Sequence, residues 1–247
     1  MASRTPLSET THPVSSKSDL RLLLLGPRNV GKSTLGNRIL GGAEFDTSVT
    51  TAVCEKRDGM VAGRQVTVVD TPGWLVPLTP DVSPELLKRE VVYSACLCPP
   101  GPHCALLVLW TDMLFSVEVV GSILQHLDLL SESLFEHLLV VFSRGEQLGG
   151  RSIEEHVEES GEVLQFLLEE CSHRYHVVSS ADSQGAEIPE LLRKIDAMVR
   201  GHGGQHYEMD PEIQHAVAER RKGEEENAKA RAMTVQKQRE TLRSQIG

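Results

Sequence analysis

The sequence predicts an α/β domain of three layers, a mostly parallel central sheet with helices on both faces, followed by a C-terminal helical extension. Three observations carry this. Apolar, strand-like runs alternate with stretches of helical period. The first strand runs directly into Gly26-x-x-x-x-Gly31-Lys32-Ser33, the phosphate-binding loop, in its proper strand-loop-helix context. Every further candidate motif falls at the carboxyl end of a strand, where ligands bind in such sheets.

Residues 1–19 are polar, hold Pro6 and Pro13, and read as a disordered leader. Strand one covers 20–25. A helix follows over 32–40 and stops at Gly41-Gly42. Residues 43–53 are threonine-rich and aperiodic and lead into a strand over 54–60. Gly63 turns the chain into a strand over 65–69, rich in valine. After a proline-rich loop, Ser83-Pro84-Glu85 reads as an N-cap with proline at the first helical position, opening a helix to about Ala95. The run 105–110 is continuously apolar, as a buried parallel strand is. A helix over 117–130 and a strand over 137–142 follow. Ser152 with Glu155 forms a capping box, predicting one long helix with Ile153, Val157, Val163, Leu164, Leu167 and Leu168 on its apolar face. A short strand over 175–178 and a helix over 188–199 complete a domain spanning 20–201. Residues 202–247 are charged, with Pro211 placed to open a helix and apolar spacing too ragged for a regular heptad.

Composition narrows the function. The chain has 247 residues, 40% of them hydrophobic but only 4% aromatic, so leucine and valine form most of the core. A net charge of -10 argues against a nucleic-acid binder held by phosphate contacts. Five cysteines, an odd number with no secretory signal before them, read as reduced thiols in a cytoplasmic protein. Cys96, Cys98, His103 and Cys104 raise a zinc site, but no second pair stands at finger-like spacing, and Cys104 reads as a buried strand residue. No run approaches ~20 apolar residues, so no membrane span is expected; peripheral attachment to intracellular membranes stays open.

The chemistry builds outward from the loop. Gly26, Pro27, Arg28, Asn29, Val30, Gly31, Lys32, Ser33 and Thr34 are the expected phosphate contacts. Glycines admit the backbone N–H groups, Lys32 supplies a point charge, the Ser33 hydroxyl suits Mg²⁺, and the helix start favours an anion. Asp70-Thr71-Pro72-Gly73 ends a strand ~40 residues on, where an acid serves Mg²⁺ and the Gly73 N–H can sense a γ-phosphate. Thr51, with Thr50 as the alternative, is the expected switch hydroxyl that joins Ser33 and Asp70 at the metal. Glu146, after the fifth strand, can accept two hydrogen bonds from guanine, a donor pair adenine lacks; the Arg144 stem can lie along the base.

Together these motifs resemble the immunity-associated nucleotide-binding GTPases, the GIMAP or IAN family with its AIG-type G domain. Gly36-Asn37-x-Ile39-Leu40-Gly41 matches the family's helix after the loop, and Ser48-Val49-Thr50-Thr51 with Cys54 resembles its first switch. The most specific match is Pro100-Gly101-Pro102-His103-x-Ala105-Leu106-Leu107-Val108. Phe142-Ser143-Arg144-Gly145-Glu146 resembles the guanine loop. The family usually carries asparagines where Ser179-Ser180 stand here, one of them on the guanine; the resemblance makes Ser180 the expected base-side residue, with Ser179 as the alternative. The resemblance implies a phosphate-loop GTPase domain, GTP and GDP binding with Mg²⁺, and nucleotide-dependent homodimers or oligomers through the switch face. Trp74 stands where a Ras-type enzyme has its water-orienting glutamine, so slow hydrolysis is expected unless a partner gives an arginine. Arg38 and Arg89 are the candidate donors, and no catalytic residue is assigned.

Overall fold

The computed structural model describes residues 18–180, 182 and 185–246. The leader expected over 1–19 lies outside the described residues except for its last two. Six strands form one sheet in the order β2-β3-β1-β4-β5-β6. They are β1 Leu20–Leu25, β2 Glu55–Val61, β3 Arg64–Asp70, β4 Cys104–Trp110, β5 Leu138–Ser143 and β6 Tyr175–Val177. Only β2 runs antiparallel, as the hairpin partner of β3. The helices are α1 Lys32–Leu40, α2 Glu85–Ser94, α3 Val117–Leu127, α4 Ile153–Glu159, α5 Glu162–Glu170, α6 Glu187–Gly201 and α7 Pro211–Ile246.

Strand alternation assigns each face its helices. Leu23, Leu25, Val69, Leu107, Leu109, Val140 and Phe142 pack with Val91 of α2, Ile123 of α3 and Leu167 of α5. Leu22, Leu24, Val66, Val68, Leu106, Val108 and Val141 pack with Leu35 and Ile39 of α1 and Leu191 and Ile195 of α6. The central strands are therefore buried on both sides, which is why they read as unbroken apolar runs. Their register brings the ends of β1, β3, β4 and β5 to one edge: Leu24 lies beside Asp70, and Trp110 beside Ser143. Cys104 is fully buried in β4.

Two expectations are corrected. Ser83 is not the cap of α2. Pro84 holds that position, and the Ser83 hydroxyl instead donates to the Thr79 carbonyl at 3.0 Å and meets His126 Nε2 at 3.0 Å. The helix after Ser152 is two helices. Its capping box is intact, but Gly161, at φ 82°, breaks the chain between α4 and α5. The segment after Gly201 returns to the core before α7, burying Tyr207 and Met209 against the α2–α3–α5 face. α7 then runs along α2, with Arg89 paired to Glu224.

Candidate nucleotide site

The phosphate loop closes over the end of β1 into α1, whose N-cap, Gly31, is in the left-handed region at φ 92°. A cavity of about 260 Å³ is lined by Arg28, Asn29, Gly31, Lys32, Ser33, Thr34, Thr50, Thr51 and Gly73. Lys32 is buried, and its Nζ donates to the carbonyls of Gly26 at 3.0 Å and Pro27 at 2.9 Å. Burial pushes its pKa down to about 8, with nearby Asp70 opposing. A loop that spends its carbonyls on the lysine leaves its N–H groups facing the cavity.

Three oxygens converge below that lysine. The Ser33 hydroxyl donates to Asp70 Oδ2 at 2.6 Å, the Thr51 hydroxyl donates to the same oxygen at 3.0 Å, and the two hydroxyls are 3.4 Å apart. Asp70 Oδ1 is buried and has no hydrogen-bond partner. Burial raises the Asp70 pKa, against the Ser33, Lys32 and Thr51 contacts. Two hydroxyls and a carboxylate with one unpartnered oxygen are the donor set of a hard divalent cation, and these residues fit Mg²⁺. The two threonines separate here: Thr51 joins Asp70, whereas Thr50 accepts from Arg28 Nη2 at 3.1 Å.

The loop after β3 is clamped to the phosphate loop. Arg28 N–H donates to the Trp74 carbonyl at 2.7 Å, and a Cβ on Gly73 would lie 2.6 Å from both Arg28 Cα and the Pro27 carbonyl oxygen. Only glycine permits that approach. Trp74 itself turns away from the cavity. Its indole is fully buried and stacks on His126, with centroids 4.8 Å apart. The Trp74 side chain is therefore a core residue and does not stand beside the γ-phosphate position.

A second cavity, about 230 Å³, adjoins the first through Asn29, Gly31 and Thr34, and is walled by Val30, Trp110, Arg144 and Ser180. The Arg144 guanidinium stacks over Trp110 at 4.0 Å and lies 3.4 Å from Asp112. Glu146 does not line this cavity. Its carboxylate is held by Ser180, which donates its hydroxyl to Oε1 at 2.6 Å and its N–H to Oε2 at 2.9 Å, and these bonds lower the Glu146 pKa. Arg38 braces the same loop from behind, donating to the Ser179 carbonyl at 2.7 Å and to Glu187 at 2.9 Å.

The geometry thus brings Lys32, Ser33, Thr51 and Gly73 to one cavity, with Asp70 buried against Ser33 and Thr51, and Arg144 and Ser180 to the adjoining one. Sequence reasoning missed Thr47, Val49 and Thr71, which line the phosphate cavity, and Trp110, which carries Arg144. For Trp110 the available signal was its place at the end of β4, in register with Ser143.

Comparison with known proteins gives the family and the fold. The model of the AIG1 family matches residues 20–228. GTPase IMAP family member 8 of Homo sapiens is 31% identical over 202 residues, covering 76% of this chain and 28% of that protein. Immune-associated nucleotide-binding protein 5 of Arabidopsis thaliana is 26% identical, covering 80% of this chain and 67% of that one. The chain spans under a third of the length of the IMAP relatives it matches. Among solved structures, Arabidopsis thaliana Toc33 in complex with GDP and Mg²⁺ superposes with a TM-score of 0.60 at 17% identity, over 78% of this chain and 88% of Toc33. A further structure, described as showing that dimerization is important for the GTPase activity of chloroplast translocon components, gives 0.56 at 16% identity, over 73% of this chain and 82% of that one. At such identities the likeness speaks to the fold, a phosphate-loop GTPase domain. Among the described residues, no helix is long and apolar enough to cross a membrane.

Proposed function

The chain belongs to the AIG1 family, and on that premise we propose that it is a guanine-nucleotide switch, binding GTP and GDP with Mg²⁺ and changing its self-association with the nucleotide. The observation that carries this reading is the Ser33–Thr51–Asp70 oxygen cluster, with Asp70 Oδ1 unpartnered beside buried Lys32. In this reading residues 20–201 are the G domain and 202–247 its helical extension. The protein is taken as cytoplasmic, and peripheral attachment to intracellular membranes stays open.

Ser33, Thr51 and Asp70 would hold the ion, which supplies charge neutralisation at the β- and γ-phosphates. Lys32 would leave the Gly26 and Pro27 carbonyls for the phosphates, regaining its full charge there. Thr51 sits on a loop without regular structure, so its bond to Asp70 can break and reform with nucleotide state. Gly73 N–H, on the cavity wall, would read a terminal phosphate. Glu146 would exchange its two Ser180 donors for the two guanine donors, and Arg144 with Trp110 would flank the base.

Hydrolysis is expected to be slow alone. Trp74 offers nothing to an attacking water, because its indole is packed on His126. Arg89 is engaged by Glu224, and Arg38 by Glu187 and Asp182. A partner-supplied arginine would have to leave such a pair. The exposed side chains of Val49, Val53 and Leu75 beside the cavity support association of a second copy through the switch face.

Single-turnover hydrolysis measured across protein concentration, with the mass of GTP- and GDP-loaded protein, tests the reading. Rates that climb with concentration alongside GTP-dependent dimers support a dimer-activated GTPase. Dimers with near-zero rates at saturating GTP support a second reading, a GTP-locked assembly module, which the burial of Trp74 favours. Equal competition by ATP and GTP would overturn the guanine assignment.

A further inference from the structure

We propose that residues 202–209 form an acid-released strap, in which two histidines of the strap dock on two histidines of the domain and hold while the two domain histidines are uncharged. The cluster lies at the opposite end of the sheet from the nucleotide cavities. His103 stands just before β4 and His137 just before β5, on adjacent parallel strands. The strap lays His202 against His137, with ring centroids 5.4 Å apart, and His206 against His103, at 6.3 Å. Between them Tyr207 inserts fully into the core. Its N–H donates to the Pro102 carbonyl at 2.8 Å, and its hydroxyl donates to the Leu130 carbonyl and meets Ser131 Oγ at 3.2 Å. A Cβ at Gly101 would strike the Tyr207 carbonyl, so the strap lies directly on the backbone below it. Two residues beyond Met209, α7 begins.

Protonation opposes this docking at the two domain histidines, His103 and His137. His103 Nδ1 accepts the Arg21 backbone N–H at 3.0 Å, and Arg21 Nη2 lies 3.1 Å from Nε2. A second proton on that ring would cancel the first bond and set a cation beside the guanidinium. Burial, then Arg21, then His206 hold the His103 pKa down to about 4, with Arg64 and His137 adding to the effect. Burial also lowers His137, as do His202 and His206, while its contact with the His103 carbonyl and Glu136 oppose. His202 Nδ1 is buried without a hydrogen-bond partner. The remaining facing charges are Asp19 on Arg21 and Glu208, 3.8 Å from His206; the Cys98 thiol near Arg21 is pushed up to about 12 by burial and stays neutral. A histidine held low when docked keeps its full contribution above its free pKa, near 6.5, and loses it as pH falls toward 4.

Hydrogen exchange read by mass spectrometry on the full chain tests this, with protection referred to the intrinsic rate at each pH. For His103 alone, the ceiling is about a tenfold loss of protection over 202–209 between pH 7.5 and 5.5, reached with a released value near 6.5; Arg21 stays beside the ring after release and makes the loss smaller. Protection in β4 and β5 should hold over the same range. His103→Asn should lessen the pH-dependent drop, and so should His137→Gln, so that either variant suffices if the other fails to fold. Strap protection unchanged at pH 5.5 would overturn the proposal. So would a loss shared equally by β4 and β5, or a drop of wild-type size in both variants.

Discussion

Gly73→Ala isolates the contact that joins the loop after β3 to the phosphate loop. An added Cβ would sit 2.6 Å from Arg28 Cα and the Pro27 carbonyl oxygen, and 2.7 Å from Arg28 N. All three are backbone atoms, so no rotamer can relieve the clash. Ordinary contact requires the two loops to part by about 0.8 Å, which stretches the 2.7 Å Arg28 N–H to Trp74 carbonyl bond beyond a useful length. Losing that bond costs about 1 kcal/mol of stability. The larger effect falls on nucleotide discrimination. A Gly73 N–H displaced by this amount cannot reach a terminal phosphate, and a charge-assisted bond of about 1.5 kcal/mol corresponds to roughly tenfold in affinity. Displacement of a fluorescent nucleotide by GDP and by a non-hydrolysable GTP analogue, with Mg²⁺ present, reads the change. Binding of the analogue should weaken roughly tenfold and GDP by less than about threefold. Equal weakening of both, or an unchanged ratio, would refute the reasoning.

Other perturbations separate neighbouring roles. Thr51→Ala should raise the Mg²⁺ needed for half-maximal analogue binding by roughly tenfold, whereas Thr50→Ala, which loses only an exposed contact to Arg28, should change it by less than about twofold; a Mg²⁺ titration at fixed nucleotide decides. Glu146→Ala should remove most of the preference for GDP over ADP, and an unchanged ratio in competition assays would argue against Glu146 as the base reader. Trp74→Phe removes a buried indole N–H that has no partner, so urea unfolding should shift by no more than about 1 kcal/mol, and hydrolysis should keep its wild-type rate. A large loss of hydrolysis with normal stability would restore Trp74 to the active site.

The strands and α1 were legible because local signals coincide there. A strand buried on both faces is an apolar run whatever surrounds it, and the loop and Gly41-Gly42 mark both ends of α1. The break at Gly161 was visible in principle, but apolar residues on both sides of it line up well enough to suggest one helix. Ser83 carried a capping signature, yet Thr79 and His126 compete for its hydroxyl, and His126 is distant in sequence. In the site, the residue types of the loop and of Asp70 declare their chemistry. The direction of a side chain does not appear in a motif: Trp74 occupies the catalytic position in sequence and the core in space. Pairings such as Glu146 with Ser180 and Arg38 with Ser179 depend on β5 and β6 lying side by side, and no local pattern encodes them.

α7 has 36 residues and meets the domain through α2 near its beginning, with Glu224 on Arg89. From that fulcrum to Ile246 the helix extends by roughly 33 Å at 1.5 Å per residue. A rigid rod of that length converts angle into travel. Were α2 to tilt by about 10°, the far end would sweep roughly 6 Å, several times the motion at the pivot. A helix of that length would act as a lever arm on any motion of α2. A sub-ångström event at one edge of the sheet could be read as a displacement large enough for another molecule to gain or lose contact.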